Sequence, residues 1–250
     1  MNELLYIFNS EIYKEVLEDG ETYLPKVDAL KRTEIPKETE LDEFQYYIHE
    51  VGYWLFQLDR QLFELNFSIK FLRNFDYSKF NNNCRPNRID HLDYTIANFY
   101  IRYASVKDKC LQLINTTFHI GIHEKDVNEK VIINNLHVNR SIVAPKYKHI
   151  SKLIEDDLKI RNSIIHKNMY TDLQIHKLRF FYASENSDAS KELKLYRRAK
   201  LNEYIDQSED RFNIKFKLLV PAIDEYLDTL SIIYKREKKE FIKMGFGEKI

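Results

Sequence analysis

Glycine and proline are scarce in this chain, with five of each in 250 residues. A sandwich or barrel of short strands needs turn residues at intervals of about 8–12 positions, so their scarcity excludes one and favours long helices with few loops. Cysteine is scarcer still. Cys84 and Cys110 are the only two and form no CxxC pair, which excludes a disulfide framework and a zinc ribbon. No apolar run approaches the ~18 residues of a membrane span. The opening MNELLYIF carries Glu3, with no basic start and no cleavage site. The expectation is a soluble, cytoplasmic protein with no membrane partner. Net charge is missing too: 39 Lys and Arg balance 39 Asp and Glu. That excludes a strongly basic nucleic-acid coat and leaves room for a local basic patch.

What the chain has in quantity is aromatic: 17 Tyr and 16 Phe. At 30.2 kDa it is long enough to bury a full core. Frequent Asn, Lys, Ile, Tyr and Phe point to an AT-rich genome and a bacterial source.

Helical periodicity dominates the organisation. Residues 3–18 read as a short helix ending at Gly20, and 21–36 as a loop. Residues 38–75 repeat apolar positions at helical spacing, from Phe44, Tyr47, Ile48 and Val51 through Trp54, Leu55 and Leu58 to Leu62 and Leu65, with Thr39 as the expected N-cap. Such a helix is about 50 Å long, so it kinks near Gly52 or reaches out to a partner. After a polar connection, helix resumes from Asn87 or Asp90 to Thr117. A break at HIGIHEKD precedes a short helical segment over 126–137. Pro145 suits the first turn of the next helix, whose apolar stripe includes Ile150, Leu153, Ile154, Leu158, Ile164 and Ile165. In 171–189, LRFFYAS reads as a strand. Helices over 190–206 and 209–243 finish the chain, the last interrupted by Pro221. The predicted fold class is all-α, a bundle of long antiparallel helices. An N-terminal helical extension is expected over 1–85 and the bundle over 86–250, as one compact unit.

The stretch KIRNSIIHKNMY, residues 159–170, stands apart. Arg161, Asn162 and His166 are costly beside a packed core, and none looks like a cap. Asn162 and His166 are four apart and can meet on a helix surface. Arg161 and His166 are about 140° and 7.5 Å apart on an unbroken helix. They become useful together where the helix ends near His166, or where a second copy supplies the matching half. The trio suits an RNA backbone. Imidazole titrates near about pH 6.5 and can take a proton from a 2′-hydroxyl or give one to a leaving 5′-oxygen. Guanidinium presents a charged fork to phosphate oxygens. The alternative is a solvated helix end, where Arg161 and His166 pair with Glu155, Asp156 and Asp157.

RNSIIH resembles the signature of the HEPN superfamily: Arg, then a polar residue such as Asn, Asp or His, with His after four to six intervening residues. The helix pattern extends the resemblance over 87–240. It implies an all-α bundle, typically four helices with additions. Many members are metal-independent ribonucleases of phage-defence, toxin–antitoxin and RNA-processing systems, working as dimers with one composite cleft. By resemblance Arg161 stabilises the phosphate, His166 moves protons and Asn162 orients. The products are a 2′,3′-cyclic phosphate and a 5′-hydroxyl. No cofactor is implied, and the implied partners are RNA, a second copy of the chain and a cognate antitoxin. Some members carry a modifiable tyrosine two residues past the histidine; that place is Asn168 here, and the nearest tyrosine is Tyr170. Family members that have lost activity set the other expectation, a non-catalytic helical module binding a protein, nucleotide or RNA.

Arg85 and His91 repeat the bare spacing, with Pro86 where the polar residue belongs. His119, His123 and Glu124 offer two histidines four apart, but Gly121 between them and the lack of a spaced third ligand favour a polar turn over a metal site. Lys194, Arg197, Arg198 and Lys200, beside Tyr196, form a candidate RNA-binding patch, and Lys235, Arg236, Lys238 and Lys239 a second. The aromatic stripe of 44–66 reads as core or dimer seam.

Overall fold

The computed structural model describes residue 7 and residues 9–25, 41–74, 87–167, 172–183 and 190–246. Among these there is no strand, and eight α-helices account for most of the described residues: α1 (Glu11–Tyr23), α2 (Glu43–Phe71), α3 (Arg88–Thr117), α4 (Glu129–Asn134), α5 (Leu136–Asn139), α6 (Val143–Lys167), α7 (Leu173–Ala183) and α8 (Lys191–Lys243). The fold is an all-α helical bundle.

Capping sets the long-helix starts. At α2, Asp42 Oδ1 accepts from the Gln45 N–H, and Gln45 Oε1 accepts from the Asp42 N–H. This reciprocal pair is a capping box, so the helix begins at Glu43 rather than beside Thr39, which lies outside the described residues. Asn87 and Asp90 cap α3 in the same way. The 29 residues of α2 make a helix about 44 Å long. It continues through Gly52, where a Cβ would stand 3.4 Å from Val16 Cγ1, so the missing side chain lets α1 pack close. The short N-terminal helix starts at Glu11 and includes Gly20. After α3, His119 and Gly121 take positive φ, and a 3₁₀ turn over Glu124–Asp126 leads into α4. Pro145 falls in the first turn of α6, where its missing N–H has no helical partner to lose.

Two expectations are corrected. LRFFYA is helical, part of α7, not a strand. Burial there follows helical spacing, with Ile175 and Leu178 buried while Phe180 is 74% exposed. The last two expected helices are one, α8, of 53 residues and about 80 Å, with Pro221 inside it. A proline costs a helix about 3 kcal/mol. Pro221 itself is exposed, and buried neighbours Leu219, Ala222 and Ile223 hold the helix on either side.

Contacts divide the chain into two compact units that are discontinuous in sequence. The first comprises 1–63, 106–151 and 220–250, the second 64–105 and 152–219. In the first, Phe44 meets Phe241 and Tyr47 stacks on Tyr234, so α2 and α8 run antiparallel there. Its buried tyrosines all place their hydroxyls. Tyr47 donates to the Thr117 carbonyl at 3.0 Å, Tyr226 to that of Cys110 at 2.7 Å, and Tyr234 to Asp19 at 2.9 Å. A buried hydroxyl left unpaired costs about 1–3 kcal/mol, so tyrosine serves as core only because these acceptors exist. Lys238 Nζ balances Asp19 at 2.6 Å.

In the second unit, Arg102 reaches Glu64, Asn98 reaches Ser68, and Arg88 reaches the Leu72 carbonyl, which makes α2 and α3 antiparallel. Phe99 and Phe212 stack at 3.8 Å between ring centres, joining α3 to α8. His91 is a core residue here, 5% exposed, edge-on to the Phe71 ring, with Arg85 of its sequence pattern outside the described residues. Burial, and then the nearby Arg88 charge, lower its pKa to about 4. Because the folded value is depressed, the neutral ring's contribution is complete above the unfolded value of about 6.5 and is lost as pH falls towards 4. Denaturant titrations at stepped pH should therefore show about 2 kcal/mol of stability lost across that window, and His91→Gln should flatten that part of the profile.

Candidate active site

The site is built on α6, on the part from Lys152 onward that belongs to the second unit. Ile150, Ile154, Asp157 and Ile164 are buried at helical spacing, so they define the inward face. Arg161 lies on that same line, four residues after Asp157 and three before Ile164, and is half-buried. Asn162 and His166, one step round the helix, are exposed. Ile165 beside them is exposed as well. The helix ends at Lys167, so His166 occupies its last turn, as one of the two geometries expected from the spacing requires.

Arg161 turns outward from its half-buried root. Its guanidinium donates to Asn162 Oδ1 at 3.1 Å, while Nε is buried with no hydrogen-bond partner among the described residues. Asn162 thus fixes the direction of the fork. The acidic run does not take it. Asp157, 3% exposed, is paired with Lys215 of α8 at 2.6 Å. Among the described residues neither Arg161 nor His166 forms an ion pair with Glu155, Asp156 or Asp157. Lys215 had no sequence signal, because 58 positions separate it from its partner. Tyr103 of α3 lies beneath the same pair: its ring sits 5.7 Å from Lys215 Nζ, and its hydroxyl donates to the Leu153 carbonyl at 3.3 Å. Burial, with Asp157 second, pushes that hydroxyl well above its ordinary pKa, so it remains a donor.

The structure therefore joins Arg161 to Asn162 and leaves His166 on its own around the helix end. Asn168 and Tyr170, just beyond, lie outside the described residues. The patch at the start of α8 is mixed. Lys194, Arg198 and Lys200 are exposed, Lys200 pairing with Glu203 at 2.8 Å, whereas Arg197 is buried. The second basic cluster serves the fold of the first unit: Lys235 pairs with Glu11 and Lys238 with Asp19. His119 and His123 belong to a turn, where His123 Nδ1 accepts from the Lys125 N–H. Among the described residues no group of three or more His, Cys, Asp or Glu is arranged to hold a metal, and no helix is long and apolar enough to cross a membrane.

A family model described as HEPN_Cthe2314-like HEPN matches residues 54–235, from the middle of α2 to the last third of α8, and the chain belongs to this HEPN family. The match takes in all of α3 to α7, including the Arg161–His166 motif, and reaches further towards the N-terminus than the helix pattern from residue 87 onward suggested. No curated protein and no solved structure matches the chain.

Two variants separate the roles of these side chains. Lys215→Met strands the buried Asp157 and should destabilise the protein by about 3 kcal/mol in urea denaturation. His166→Ala, at an exposed position, should change stability by no more than about 0.5 kcal/mol, which makes it a clean probe of function.

Proposed function

We propose that this HEPN protein is an endoribonuclease whose site is completed by a second copy of the chain. The observation that carries the reading is the state of the motif. Arg161 is held by Asn162 and not by a carboxylate, and His166 is exposed where α6 ends. A solvated helix end would use the neighbouring acids instead. The family match, which spans the motif, supports the same reading.

One copy is not enough. With Arg161 and His166 about 140° apart on α6, a phosphate gripped by one does not meet the other on the same helix end. Two copies bring two of each to one cleft. One imidazole accepts the proton of the 2′-hydroxyl as its oxygen attacks phosphorus; the other protonates the leaving 5′-oxygen as the P–O5′ bond breaks. The guanidinium forks take up the charge that builds on the non-bridging oxygens. The products are a 2′,3′-cyclic phosphate and a 5′-hydroxyl. The chemistry needs no metal, and Lys194, Arg198 and Lys200 supply phosphate contacts outside the cleft, with Arg197 packed behind them. A bacterial, cytoplasmic defence or toxin–antitoxin setting, with a cognate antitoxin as further partner, follows from this reading.

The test is cleavage of total RNA and transfer RNA in excess chelator, with sedimentation to measure the oligomeric state. The wild-type dimer should cut and leave cyclic-phosphate ends. His166→Ala should lower the rate about 10²–10⁴-fold and Arg161→Ala about 10²–10³-fold. Equal cleavage by wild type and His166→Ala removes the catalytic assignment, and a folded, inactive wild type that still binds RNA leaves a binding module.

A further inference from the structure

A concavity lies in the first unit, apart from the motif and lined by none of its residues. A cavity of about 710 Å³ opens between α2 and the segment that follows α3. On α2 its wall carries Tyr46, Glu50 and Tyr53 at positions i, i+4 and i+7, which is one helix face spanning about 10 Å. Tyr46 and Tyr53 are 40% and 44% exposed, large aromatic surface left in water beside a cavity. The facing wall contributes His119, His123 and Glu124. That wall is held firmly. Asn115 bonds both the N–H and the carbonyl of Ile122, and Gln112 donates to the Glu124 carbonyl at 2.9 Å. The cavity is thus shaped before any guest arrives.

Two carboxylates, Glu50 and Glu124, line it with three histidines, His49, His119 and His123, and no lysine or arginine does. His49 Nδ1 lies 3.6 Å from Glu50, so a guest's ammonium group would share that carboxylate with an imidazole. The aromatic wall also takes an ammonium elsewhere: Lys109 Nζ sits 4.9 Å over the Trp54 ring, next to Tyr53. Ring faces and carboxylates in alternation attract alkylammonium groups, by the ring quadrupole and by direct charge. An elongated guest with several ammonium groups matches a stripe of aromatic, acid and aromatic side chains better than a compact one.

We propose that this cavity binds an aliphatic polyamine, with Glu50 and Glu124 facing its ammonium groups and Tyr46 and Tyr53 packing on its methylene chain and charges. The assignment is independent of the nuclease reading, since it uses other residues in the other unit. Isothermal titration of the full chain with spermidine tests it, beside adenosine monophosphate as an aromatic anion. Saturable spermidine binding is expected, weakened about tenfold in Glu50→Gln/Glu124→Gln. Tyr46→Ala and Tyr53→Ala, at exposed positions where folding is undisturbed, should each weaken it about two- to fivefold. Absence of saturable spermidine binding overturns the proposal. So does binding unchanged in all three variants, which marks adhesion to acidic surface in general, and so does preference for the nucleotide.

Discussion

A carboxylate taken out of water needs its counter-charge within reach, and in the second unit that requirement falls on Asp157. Lys215 meets it at 2.6 Å. The pair fixes the rotation of α6 about its own axis, because Asp157 points inward only if Ile154 and Ile164 do as well. Everything at the end of the helix then follows from 100° steps. Arg161 falls on the inner edge with its root half-buried, while Asn162 and His166 fall outside. Had α6 settled one residue round, a different set would face solvent. The chemistry proposed for the motif is downstream of an ion pair that takes no part in it.

The helical class was legible in the sequence because little competes with helix here. Few glycines and prolines interrupt, and the apolar period holds from Phe44 to Leu65 and from Leu92 to Ile114. Every position expected in the stripe from Phe44 to Leu65 is buried, whereas in the stripe of α6 Ile165 is 41% exposed. The failures have specific causes. Thr39 is a good capping residue, but Asp42 with Gln45 makes two bonds where one was expected. LRFFYA is rich in aromatic residues that suit a strand, and its helical period is set by packing of Ile175 and Leu178. Pro221 reads as a stop, yet burial on both sides outweighs one lost backbone bond.

The motif was legible as a pattern and not as an arrangement. Its residue types, its spacing and the nearby helix end were all visible in one line of sequence. That Arg161 leans on its neighbour Asn162 is a matter of rotamer, and that Asp157 of the acidic run is committed to Lys215 depends on a side chain brought from α8. The basic clusters show the same limit. Lys235 and Lys238 look like Lys194 and Arg198 in sequence, but partners more than two hundred positions away occupy them. The cavity beside Tyr46 and Tyr53 was hidden for a related reason, because it exists only where a turn after α3 returns to α2.

The buried tyrosine hydroxyls have one further consequence. Tyr47, Tyr103 and Tyr226 donate to the main-chain carbonyls of Thr117, Leu153 and Cys110. A carbonyl is present whatever amino acid occupies the acceptor position. Relatives can therefore replace the residue at 117, 153 or 110 without disturbing the joint, and no compensating change at the tyrosine is called for. Methods that infer proximity from correlated substitution across a lineage are blind to these three points of attachment, although each ties one helix of the bundle to another.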